Sequence, residues 1–218
     1  MNMRQLTVAL ALASACIFIA SCSSRPSPPV AVDALDGLLL SPAEINTAIG
    51  TTGIMVNGRS AVMSDNSANI PDKDCRFNLP VQASVYDGSG WIATRGQYLS
   101  DSSHGVSQAV VSFPSANDAT RFLNASALRW EACPMRQWHY FDPGRPDKVW
   151  TVGPIAITNG TLSTTDTLKG RDGWVCQRAL TVSYNIAIDV AACSDNPAHA
   201  AVNIAHQIAT ATAWQAPN

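Results

Sequence analysis

The strongest constraint on the fold is a pair of cysteines placed symmetrically about a short turn. Two strand-like segments flank Tyr184-Asn185. If these two residues form the loop of a β-hairpin, the antiparallel register places Cys176 opposite Cys193 in a non-hydrogen-bonded pair. Such a pair brings the two Cα atoms to about 4.5 Å, within the range that a disulfide accepts. The sequence therefore predicts a hairpin stapled by Cys176–Cys193.

The N-terminus has the pattern of an export signal. A short polar stretch containing Arg4 precedes an apolar run over 6–20, which is too short to span a bilayer comfortably. The run ends in Ile19-Ala20-Ser21-Cys22, which resembles the bacterial lipobox. That resemblance implies cleavage before Cys22 and acylation of its sulfur. The alternative is an ordinary secretory signal with Cys22 as an incidental thiol.

These features predict the domain organisation and the location. Residues 1–21 are assigned to a lipoprotein signal peptide, 22–36 to the lipidated Cys22 and a Pro/Ser-rich tether, and 37–218 to the folded domain. The run Ser-Ser-Arg-Pro-Ser-Pro-Pro over 23–29 favours extended geometry and forms no core. We expect a chain anchored to the cell membrane by lipid, with its domain on the extracytoplasmic face.

Cysteine number supports disulfides rather than a metal site. Beyond Cys22 the chain contains four cysteines, and an even number in an exported protein favours disulfides. Since the hairpin pairs Cys176 with Cys193, Cys75–Cys133 follows by exclusion. A four-cysteine zinc site fits poorly because no Cys-x-x-Cys pair occurs.

Local signals predict an α+β fold. Ser41-Pro42-Ala43-Glu44 is a capping box for a helix ending near Gly50, and a second helix should start at Pro114-Ser115. Asp195-Asn196-Pro197 should cap a final helix. Strands are expected over 90–99, 106–113, 149–157, 161–168 and both arms of the hairpin. This order favours a twisted antiparallel sheet with helices packed on it, stapled by two disulfides.

The hairpin register separates an apolar face from a mixed face. One face carries core-type residues, namely Val175, Ala179, Ile186, Ile188 and Val190. The opposite face carries Trp174, Arg178 and Asp189, and the last two are diagonal neighbours within reach of each other. These three residues are candidates for a ligand-binding cleft. The alternative is a structural ion pair at a helix–sheet junction.

Several longer segments together resemble a known family. These are residues 39–45, 108–115, 130–133, 173–180 and 188–190, of which 173–180 is the most specific. From about 38 to 213 the chain resembles the PknH-like extracytoplasmic sensor domain of mycobacterial receptor-like serine/threonine kinases and related lipoproteins. The resemblance implies two disulfides, a broad cleft and ligand sensing. Neither a kinase domain nor a membrane helix precedes the module, so we expect binding without direct relay of a signal.

Composition and motifs argue against several other functions. Charged residues make up 14% of the chain and the net charge is −2, which gives no electrostatic footprint for nucleic acid. The sequence lacks a Gly-x-Ser-x-Gly elbow, a P-loop, a Rossmann glycine pattern and His-Glu-x-x-His. His199 and His206 lie two helical turns apart without a third ligand. We therefore expect no metal, no cofactor and no catalytic residues.

A cluster of aromatic residues has two interpretations. Its members are Trp130, Trp138, Tyr140, Phe141 and Trp150. They suit either a binding platform for sugar or lipid or, more commonly, core packing beneath a long loop.

The sequence as a whole predicts a non-enzymatic, lipid-anchored receptor for a small molecule or cell-envelope component. The alternative is a structural or partner-docking envelope lipoprotein without a small ligand. A protein partner is not identifiable from these residues.

Overall fold

The computed structural model describes residues 28–171 and 173–215. Within these ranges, four α-helices lie at α1 Pro42–Ile49, α2 Ala83–Tyr86, α3 Ala116–Trp130 and α4 Ala200–Gln215, and two 3₁₀ helices lie at Val32–Leu38 and Lys73–Asn78. The nine strands of the described part of the chain are β1 Met55–Ser60, β2 Ala93–Ser100, β3 Gly105–Ser112, β4 Gln137–Tyr140, β5 Lys148–Val152, β6 Ala156–Thr158, β7 Thr161–Leu168, β8 Val175–Ser183 and β9 Ile186–Ser194.

The strands form a single antiparallel sheet in the order β1-β2-β3-β9-β8-β7-β5-β4, and β6 also pairs with β7. The first 3₁₀ helix, α1 and α4 contribute to a core on one face, which includes Ile186, Ile188 and Val190. The second 3₁₀ helix, α2 and α3 contribute to a core on the other face, which includes Leu180 and Ala187. The α+β prediction is confirmed, with helices on both faces of the sheet.

The hairpin has the predicted register. Ser183 pairs with Ile186 and Cys176 with Cys193, whose Cα atoms are 3.9 Å apart and whose sulfurs form a disulfide. The second disulfide joins Cys75 to Cys133, with the Cα atoms 5.4 Å apart. It links the second 3₁₀ helix to the turn after α3. Both predicted pairings are therefore present.

Helix ends follow local capping, with one exception. The capping box at Ser41 and Glu44 is formed, and Gly50 ends α1 in the left-handed region at φ 72°. The final helix begins at Ala200, three residues later than Asp195-Asn196-Pro197 would place it. The Gln177 side chain of β8 accepts hydrogen bonds from the first turn of α4 instead, at 2.9 and 3.3 Å. A tertiary contact thus replaces the predicted local cap.

The folded part begins earlier than residue 37. Val30 and Leu35, which the sequence assigns to the tether, are buried in the core. The Asn185 side chain accepts from the Val30 N–H at 2.7 Å and donates to its carbonyl at 3.3 Å. Gln108 bonds the N–H and the carbonyl of Leu40 in the same way, at 3.0 and 2.8 Å. We call these contacts the two amide clamps. Cys22 and the proposed signal peptide lie outside the described residues.

Candidate functional site

The charged pair of the predicted ligand face is not accessible. Arg178 and Asp189 approach each other as expected, but each residue is only 2% exposed. The segment 73–86 and α3 cover this face of the hairpin, because the second apolar core lies there. The interpretation of the pair as a recognition site is therefore wrong. Trp174 is partly buried beside β8, with the Arg171 guanidinium 3.5 Å from its ring centroid.

The buried pair has a structural role. Arg178 donates to the Phe77 carbonyl from Nε and Nη2, at 3.1 and 3.0 Å, and to the Val190 carbonyl from Nη1 at 2.7 Å. Asp189 Oδ2 accepts from the Val81 N–H at 2.8 Å and from the Tyr86 hydroxyl at 3.0 Å. These contacts fasten the Phe77–Tyr86 stretch to the centre of the sheet, since a buried ion pair needs such partners to be tolerated.

Electrostatics in this cluster follow from burial. Desolvation and the neighbouring Asp189 charge raise the pKa of Tyr86 well above its usual value. On β7, burial raises the pKa of Asp166 to about 7, although a hydrogen bond from Trp138 Nε1 and the Arg178 charge act in the opposite direction. Asp166 Oδ2 has no hydrogen-bond partner among the described residues. No sequence pattern indicates Asp166 as a special residue, since it lies in a strand rich in threonine.

A groove lies beside this buried cluster, between α3 and the segment 73–86. We call it the α3 groove. It encloses about 340 Å³, within the range of small-molecule sites. Lys73, Arg76 and Arg129 supply cationic side chains to its lining, and Phe77, Trp130 and Ser126 form its inner part. None of the predicted ligand residues lines it.

The walls of the α3 groove are held in place from several sides. Phe77 and Trp130 stack with ring centroids 4.5 Å apart. The disulfide Cys75–Cys133 ties the two walls together at one end. Arg178 donates a hydrogen bond to the Phe77 carbonyl, and its guanidinium lies 5.5 Å from the Trp130 ring centroid. The groove is thus a preorganised feature of the fold, which is what a binding site requires.

A second cavity borders the same segment. It encloses about 260 Å³ between Pro80-Val81 and the small residues Gly96 and Ala109 of β2 and β3. Because Val81 donates to Asp189, the buried ion pair holds a wall of this cavity too.

Other residues singled out in the sequence contact neighbouring side chains of the fold. Trp138 and Trp150 stack at 6.0 Å, and Trp130 and Trp138 are buried, as core packing predicts. His206 Nε2 lies 2.9 Å from the Thr161 hydroxyl.

Within residues 28–171 and 173–215, no group of three or more His, Cys, Asp or Glu side chains is arranged to hold a metal ion. No helix in these ranges is long and apolar enough to cross a membrane.

Comparison with known proteins gives a consistent result. The PknH-like extracellular domain family matches residues 30–211. The serine/threonine-protein kinases PknH of Mycobacterium bovis and Mycobacterium tuberculosis are 32% identical over 189 residues, covering 84% of this chain. The matched region makes up 32% of the length of the Mycobacterium bovis kinase and 30% of the length of the Mycobacterium tuberculosis kinase, so the chain spans about a third of their length.

A solved structure extends the likeness to the fold. The extracellular domain of PknH from Mycobacterium tuberculosis has a TM-score of 0.82 and 30% sequence identity to this chain. The alignment covers 86% of this chain and 99% of that domain. The similarity is thus to the extracellular, non-catalytic part of the kinase. The chain belongs to the PknH-like extracellular domain family.

Proposed function

We propose that this protein is a lipid-anchored receptor on the extracytoplasmic face of the membrane, and that it captures a small molecule in the α3 groove. The observation that carries the proposal is the groove itself, which remains open although both faces of the sheet bear closely packed cores. The rival function is a structural or partner-docking lipoprotein without a small ligand.

The groove is favoured over the second cavity for two reasons. It is the larger of the two, at about 340 against 260 Å³. It also combines an apolar aromatic wall with charged groups, the composition that provides both affinity and orientation in small-molecule sites. The covalent link at Cys75–Cys133 limits how far its walls can separate, so little binding free energy is spent on ordering them.

Anchoring rests on the N-terminal sequence and on the family. The lipobox-like tetrapeptide ends at Cys22, and the folded part begins within a few residues of the Ser/Pro run that follows. Family members match through an extracellular domain. Two or more acyl chains would hold the protein firmly, because each buried methylene contributes about 0.8 kcal/mol.

Native mass spectrometry of the protein extracted in mild detergent from its own envelope tests the receptor function. We expect an adduct that disappears on denaturation. Ser84 lines the groove, whereas Ser102 is exposed in the turn between β2 and β3. Ser84→Trp should fill the groove and abolish the adduct, and the matched control Ser102→Trp should retain it. An adduct that persists in Ser84→Trp, or no adduct in the wild type, would contradict the proposal and favour the rival function.

A further inference from the structure

We infer that the α3 groove is specific for a small molecule that carries an anionic group on an apolar body. In this assignment Lys73 and Arg129 bind the anion, and the Ser126 hydroxyl makes an inner hydrogen bond. The inference rests on the proposed function only in using the same groove.

The charges at the groove favour an anion. Three cationic side chains line it, against one carboxylate, Asp74. That carboxylate is already engaged, because Asp74 and Asp72 both pair with Arg136, at 3.3 and 2.5 Å. The side chains that line the groove therefore carry an excess of positive charge, although the whole chain has a net charge of −2.

The three cations differ in how far they are committed to the protein. Arg76 donates from Nε and Nη2 to the carbonyls of Ile70 and Ser67, at 3.0 and 2.9 Å, so it mainly holds the loop. Arg129 donates from Nη1 to the Val85 carbonyl at 2.8 Å, which leaves the rest of its fork for a ligand. Lys73 is exposed and forms no ion pair with any residue that the structure describes. Arg129 and Lys73 are thus the residues that can bind an anion.

Ser126 provides an independent indication of a ligand. It lies on the inner face of α3, is 1% exposed and lines the groove. Its hydroxyl has no hydrogen-bond partner among the described residues. A buried hydroxyl without a partner destabilises a fold, so such groups in native proteins need an explanation. A polar atom of a bound ligand would satisfy it.

The apolar part of the ligand follows from the remaining wall. Phe77 and Trp130, which stack on each other, line the groove together with Val85 of α2. These side chains suit a compact apolar or aromatic group. The anion itself can belong to a free metabolite or to a lipid headgroup, and the experiment separates the two.

NMR titration of the mature chain with phenyl phosphate tests the ligand class, with phenol and benzylamine as neutral and cationic probes. We expect phenyl phosphate alone to shift the amide signals of residues 73–86 and 126–132. Arg129→Gln and Lys73→Gln should each weaken its binding about tenfold, the effect of losing one charge-assisted hydrogen bond. The matched control is Arg121→Gln, an exposed arginine of the same helix that pairs with Asp118. It should bind like the wild type.

Ser126→Ala distinguishes a ligand contact from a structural one. It should weaken phenyl phosphate binding while leaving the melting temperature unchanged or higher, because it removes a buried hydroxyl that has no partner. A lower melting temperature with unchanged binding would overturn the role of Ser126. Equal binding of all three probes, or of Arg129→Gln and the wild type, would overturn the anion specificity.

Vesicles of phosphatidylcholine with and without phosphatidylglycerol separate the two sources of the anion. Competition by the anionic vesicles against phenyl phosphate selects a lipid headgroup, and its absence selects a soluble ligand. A neutral or cationic adduct in native mass spectrometry would leave the receptor function standing and refute this inference alone.

Discussion

Asp166 should make the stability of the domain depend strongly on pH. Its carboxyl is 1% exposed, and one oxygen accepts from Trp138 Nε1 while the other has no partner in the described part of the chain. In the unfolded chain the group ionises near pH 3.8, whereas burial raises the pKa to about 7 in the folded state. Between these two values the folded state holds one proton more than the unfolded state. Stability therefore falls as pH rises through this window and levels off above pH 8.

The size of the effect follows from the two pKa values. Ionisation of the buried carboxyl lowers the free energy of unfolding by about 4 kcal/mol in total. About 2–3 kcal/mol of this decrease falls between pH 5 and pH 8. Asp166→Asn preserves the acceptor for Trp138 and cannot ionise. The variant should therefore be more stable than the wild type at pH 8 and much closer to it at pH 5.

Urea unfolding at a series of pH values measures this difference directly. The free energy of unfolding of Asp166→Asn is subtracted from that of the wild type. This difference removes the contributions of the histidines and of the other titrating groups that both proteins share. Asp87→Asn, at an exposed position after α2, serves as the control and should follow the wild type at each pH. Parallel stability curves for the wild type and Asp166→Asn between pH 5 and pH 8 would refute the reasoning.

Three further predictions concern the ion pair, the hairpin and the anchor. Arg178→Ala should lower the free energy of unfolding by about 3–5 kcal/mol, because it leaves Asp189 buried without its partner; a loss below 1 kcal/mol in urea unfolding would contradict the structural role. Non-reducing peptide mapping should recover Cys176 linked to Cys193, and replacing both with alanine should cost about 2–5 kcal/mol; a link from either residue to another cysteine would disprove the pairing. Cys22→Ala should release the protein from membranes or accumulate uncleaved precursor in cell fractionation, whereas processed protein that still partitions into detergent would disprove lipidation.

Local chemistry made several elements predictable from the sequence. The α1 capping box needs only Ser41 and Glu44, three positions apart, and the helix stops where Gly50 accepts a left-handed conformation. The hairpin register needs only the turn and the two cysteines that must meet. In each case the interacting residues are close in sequence, so the pattern alone carries the information.

The missed features depend on contacts between distant segments. Arg178 and Phe77 are 101 positions apart, so nothing near the hairpin indicates that another segment covers its mixed face. β1 contains Asn57 and Gly58 and is mostly exposed, so it lacks the alternation typical of a half-buried strand. One sequence feature does indicate the α3 groove. Ser126 lies four residues after Phe122 and four before Trp130, a polar residue on the inner stripe of an amphipathic helix.

The amide clamps have a consequence for how far the domain stands from the bilayer. Each uses one side-chain amide to grip both backbone groups of a single residue, Val30 or Leu40, as a neighbouring strand would. If the proposed anchor is at Cys22, the eight residues from there to Val30 extend at most about 28 Å. Opening the clamp at Val30 alone would shift the first fixed point to the 3₁₀ helix that begins at Val32, because its Leu35 is buried in the core, and would increase that limit to about 35 Å. The reach of the domain from the proposed anchor is therefore limited first by the hydrogen bonds of Asn185 and then by the burial of the 3₁₀ helix, so a substitution of Asn185 would lengthen the tether by only a few residues.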